Sequence, residues 1–114
     1  MKVALCYLLG EADWDSDFGK TVVNVLGDNK GWYFPLDPSA VLPVGTIIDL
    51  TEKKTEQSIQ LVVKKLLYEQ DQNLLTLYVD VHDEIDMKPQ DFARYINECW
   101  IAGIAIEEWA GKIP

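Results

Sequence analysis

The chain has 114 residues, 48% hydrophobic and 25% charged, and its 19 acids against 10 bases give a net charge of −9 at pH 7. That composition is ordinary for one domain, here residues 1–114, since domains commonly run ~100–150 residues. It excludes a disordered tail, a collagen-like repeat and a disulfide-dense miniature scaffold.

The acids are not gathered in a tail. Residues 1–51 hold seven acids and three bases, and residues 52–114 hold twelve and seven, so the body itself is negative. Such a body repels phosphate backbones, whose binding rests on Lys and Arg displacing counterions. Arg94 is the only arginine, and recognition of nucleic acid is not expected.

From the N-terminus, Val3 to Leu9 form a seven-residue apolar run. It is far short of the ~20 residues of a membrane span, so a strand buried on both faces is expected over 2–9 and no membrane partner. The stretch Lys20-Thr21-Val22-Val23-Asn24-Val25-Leu26 is rich in β-branched residues. With the Gly27 to Gly31 turn and Trp32-Tyr33-Phe34 after it, a hairpin is expected there. The Pro35 to Pro43 stretch reads as a connecting loop, and residues 45–50 as a further strand. Residues 58–68 and 74–82, joined by a polar turn, alternate with period two and form a second hairpin. Leu75, Leu77, Val79 and Val81 fall on one side, and Thr76, Tyr78, Asp80 and His82 on the other.

The period then changes. Phe92, Tyr95, Ile96, Cys99, Trp100 and Gly103 follow helical spacing behind Pro89, with Gly103 as a left-handed cap. Residues 104–109 close the chain as a strand or a helical extension. The expected fold is α+β: a strongly bent antiparallel sheet of about six strands, or a partly open small barrel, packed on one C-terminal amphipathic helix.

Cys6 and Cys99 share no metal or redox spacing and sit among apolar neighbours. Buried free thiols are expected, as suits a reducing cytoplasm. Asp13, Asp15 and Asp17 alternate as in a calcium loop, but Phe18 stands where such a loop needs glycine, and position twelve is Asn24. A solvated acidic loop fits better. On a strand, Asp80, His82 and Glu84 would share one face and could hold a divalent metal or set the single histidine as a base. No serine elbow, dinucleotide fingerprint or phosphate loop is present, so no catalytic residue and no cofactor are assigned.

The aromatic residues carry the functional expectation. Four Trp and five Tyr are many for an acidic domain of this size, and large rings at partly exposed positions anchor interfaces. Trp32, Tyr33, Phe34, Tyr78 and Trp109 are the expected binding residues. The expected function is a small acidic, non-enzymatic interaction protein that pairs with itself as a homodimer or with another protein. One alternative is a small-molecule or metal binder, even a minor enzyme, with its site in the concavity of the sheet. Another is an acidic inhibitor or immunity-type protein, or a mimic of nucleic acid.

Overall fold

The computed structural model describes residues 1–8, 16–27, 31–39 and 42–103. Its elements are β1 (Lys2–Leu8), α1 (Asp17–Leu26), β2 (Gly31–Leu36), β3 (Ile47–Thr51), β4 (Ser58–Glu69), β5 (Leu74–Asp83), α2 (Pro89–Cys99) and β6 (Ile101–Gly103). The strands form one sheet in the order β3-β4-β5-β1-β2-β6.

The class is α+β, with three corrections. β1 runs parallel to β5 while the other neighbours are antiparallel, so the sheet is mixed. Among the described residues its outer strands, β3 and β6, do not pair with each other, so the sheet is open rather than closed into a barrel. The described residues hold two helices rather than one.

The extra helix is α1, which takes up residues 20–26, expected as a strand. Ser16 sits at its N-cap with extended backbone, and its Oγ accepts a hydrogen bond from the Gly19 N–H at 2.9 Å. That satisfies one of the amide donors a helix start leaves unpaired. Gly19, Val22, Val23 and Leu26 are buried at i, i+3, i+4 and i+7, one face of a helix. Packing of that face outweighs the β preference of the valines and threonine. The expected first hairpin is therefore absent. β2 pairs instead with β1, Trp32 opposite Tyr7.

β1 meets the expectation of a strand buried on both faces: Val3 to Tyr7 are all at most 2% exposed. β4 and β5 form the expected hairpin, turning at Asn73 with φ 49. Asn73 is among the residues that tolerate this left-handed backbone.

α2 starts behind Pro89 and buries Phe92, Ala93 and Ile96. It stops at Cys99, short of the expected Gly103. Trp100 is its C-cap and donates its N–H to the Ile96 carbonyl at 3.0 Å. Gly103 lies in β6 opposite Gly31, so it is a strand residue and not a helix cap. The strand or extension expected over 104–109 lies outside the described residues.

Strand alternation sorts the side chains onto two faces. Val3, Leu5, Tyr7, Ile59, Leu61, Val63, Leu77 and Val79 share one apolar cluster with residues of both helices. Phe92 is fully buried there, edge-on to Tyr7 with ring centroids 5.4 Å apart and 5.9 Å from Phe18. The opposite face carries a smaller cluster of Ala4, Cys6, Tyr33 and Leu74. No helix among the described residues is long and apolar enough to cross a membrane.

Candidate functional site

The aromatic run of β2 is not an exposed strip. Trp32 is 4% exposed within the helix-side core, and Tyr33 is 6% exposed in the opposite cluster. Alternation sends the two rings to opposite faces, and each packs into the apolar cluster on its own face. Phe34 is half-buried and meets Trp100, with ring centroids 5.5 Å apart. Tyr78 is also half-buried, on the face away from the helices. Lys65 Nζ lies 5.1 Å from its ring centroid, and burial pushes its hydroxyl pKa up. Trp109 lies outside the described residues.

The sequence-predicted row Asp80, His82, Glu84 is interrupted. Opposite β4, Gln60 faces Asp83 and Leu61 faces Val81, which leaves His82 as the extra residue of a bulge. A bulge breaks the alternation that would have put the three side chains on one face. Asp80 Oδ1 accepts its neighbour's N–H from Val81 at 2.9 Å, and Asp83 Oδ1 accepts from Ile85 at 3.2 Å. Among the described residues no group of three or more His, Cys, Asp or Glu is placed to hold a metal ion.

These residues still border a groove of about 320 Å³ that they share with Ser16, Phe18 and Gly19 at the start of α1. Asp17 opens that helix; Asp13 and Asp15 lie outside the described residues.

A larger cleft, about 510 Å³, opens between α2 and the turn that joins β3 to β4. Phe34 and Tyr95 supply its rings, Lys53 and Lys54 its cations, Glu52 and Glu98 its acids, and Thr51 and Cys99 complete the wall. This volume falls within the ~300–1,000 Å³ usual for small-molecule sites.

Glu52 organises the cleft. It is 6% exposed, and a carboxylate so buried must be paired. Arg94 Nη2 donates to both of its oxygens, at 2.7 and 2.9 Å, and the Thr55 hydroxyl donates to Oε2 at 3.0 Å. The Glu52 N–H donates to the Gln57 carbonyl and the Glu56 N–H to the Glu52 carbonyl, each at 2.8 Å. These bonds close the turn that carries Lys53 and Lys54. Arg94 also lies 3.5 Å from Glu98 and 3.8 Å from Asp91.

Burial pushes up the hydroxyl pKa of Tyr95 in the cleft wall. An opposing pull comes from the Trp100 indole N–H, too loose to be a formed hydrogen bond.

Cys99, expected in the core, is an exposed free thiol. α2 stops at this residue, and it is Trp100, one position on, that turns into the core. Cys6 is buried as expected, and burial pushes its thiol up to about 12, against a smaller lowering by its hydrogen bond with Tyr33.

The helical spacing behind Pro89 covers the segment that carries Arg94 and Glu98, but sequence reasoning had no route to Glu52, Lys53 and Lys54. These come from the β3–β4 turn, and only the register of that hairpin and the docking of α2 bring them to Tyr95. Comparison with known proteins found no matching family model, no matching curated protein and no matching solved structure.

Proposed function

We propose that this chain is a binding protein rather than an enzyme, and that it takes a small ligand in the cleft between α2 and the β3–β4 turn. The carrying observation is the conjunction, in one 510 Å³ cleft, of two aromatic walls with a turn locked by the pairing of the buried Glu52 with Arg94. Such a cleft is preformed, so little ordering cost opposes binding. Its one buried acid already accepts three hydrogen bonds, which suits a fixed support better than a group that exchanges protons.

The test is a titration of nitrogen-labelled protein with naphthyl methanol, a flat neutral probe. Amide resonances of Phe34, Glu52, Tyr95 and Cys99 should move while those of His82 and Asp83 stay in place. Movement confined to the His82 groove, or none at all, would overturn the assignment.

Pairing of two copies is a second reading. It is favoured by the open edge of β3, where Ile47 is 48% exposed beside Val44 at 59%. Unpaired strand edges with apolar side chains are templates for another strand, and two-fold pairing is the commonest assembly. Sedimentation of the wild-type chain and of Ile47→Lys tests it. A dimer that the substitution dissolves supports the reading, and a strict monomer at high concentration removes it.

A further inference from the structure

From the charges around the cleft we infer the class of ligand: a flat aromatic or heteroaromatic molecule bearing one negative group. Its ring would lie against Phe34 and Tyr95 and its anionic group between Lys53 and Lys54. This rests on the reading of the cleft as a binding site and adds the sign of the ligand.

In a chain of net charge −9 total charge alone favours a cation as guest, but the bonding around Glu52 decides otherwise. Both oxygens of Glu52 face Arg94 Nη2, and Glu98 lies 3.5 Å from Arg94 Nη1. The buried acid of the cleft is thus matched by the one guanidinium, and Glu98 lies against that same group rather than against either lysine. Lys53 and Lys54 line the same cleft and make no ion pair among the described residues. They are the charges left for a guest to neutralise. A pair of cations beside two rings favours an anionic over a cationic guest in this cleft. The rings supply the remaining affinity through apolar burial and stacking.

Cys99 provides a reporter, since it lines the cleft and is exposed while Cys6 is buried with its thiol pushed up to about 12. The rate at which neutral iodoacetamide alkylates Cys99 should fall as the cleft fills. Three probes of one shape separate the outcomes: naphthoate, naphthyl methanol and naphthylmethylamine.

The expected result is that naphthoate protects Cys99 at a concentration about tenfold lower than naphthyl methanol does, the gain two partly exposed lysines can give. The Lys53→Gln, Lys54→Gln double variant should erase that preference, so that naphthoate protects no better than naphthyl methanol. Both positions are exposed in a turn, so the variant should melt as the wild type does. Equal protection by acid and alcohol overturns the inferred charge and leaves the cleft as a binding site. Tightest protection by the amine also overturns it, and shows that Glu52 and Glu98 face the guest. No protection by any of the three overturns the site and the ligand class together.

Discussion

Arg94 and Glu52, 42 positions apart in the chain, meet through a single nitrogen: Nη2 lies 2.7 Å from Oε1 and 2.9 Å from Oε2. The pair fastens α2 to the β3–β4 turn, and the cleft is the space between those two elements. Removing Glu52 therefore acts on stability and on the cleft at once. Glu52→Ala should lower the melting temperature by several degrees and weaken naphthyl methanol binding in the same titration. Glu84→Gln, an exposed change in the other groove, should alter neither. If Glu52→Ala melts lower yet binds the probe as the wild type does, the pair is structural only.

Phe92 joins β1 to both helices, since its ring meets Tyr7 and Phe18 at the centre of the larger core. It is 0% exposed, so truncation leaves a cavity that the surrounding elements cannot close. Phe92→Ala should cost ~3–5 kcal/mol, a large share of the ~5–15 kcal/mol total stability of a typical domain. Urea denaturation measures it, and a loss below ~1 kcal/mol would mean the core repacks around the gap.

The cap on α1 is a single side chain. Ser16→Ala removes the Oγ that accepts the Gly19 N–H and should cost ~0.5–2 kcal/mol. Ser16→Asp should restore most of the loss, because a carboxylate accepts the same bond and favours the positive end of the helix. Equal melting of the alanine variant and the wild type would show that this cap contributes nothing.

Cys6 makes stability depend on pH at the alkaline end. Its thiol is raised from 9.0 to about 12 by burial, so the folded chain keeps a proton that the unfolded chain releases. Stability from this group is fully present below pH 9.0 and is lost as pH rises from there toward 12. The raised hydroxyls of Tyr78 and Tyr95 act with the same sign at still higher pH. The urea midpoint should fall as pH rises above 9.0, and Cys6→Ala should flatten that fall. An unchanged slope in the variant would show that Cys6 is not the group responsible.

Much of the sheet was legible in the sequence because a strand's two faces are written in its own residues. Val3 to Tyr7 announce burial on both sides, and Leu75, Leu77, Val79 and Val81 announce one face of β5. α2 was legible from Phe92 and Ile96 for the same reason, in the helical period. α1 was misread although its signals are present: Ser16 at the cap, and Val22, Val23 and Leu26 at helical spacing. Valine and threonine pull toward strand by propensity, and only a core to pack against reverses that pull.

What the amino-acid sequence determined by itself is therefore local: alternation, helical spacing, turn residues, an acidic body and a single arginine. What the tertiary structure decided is everything that depends on distant segments meeting. The parallel pairing of β1 with β5, the burial of Trp32 and Tyr33 on opposite faces, and the bulge that displaces His82 all follow from register between strands. The meeting of Glu52 with Arg94 follows from the docking of a helix on a turn. Periodicity states which face of an element is apolar, but which partner covers that face is settled only when all the elements pack at once.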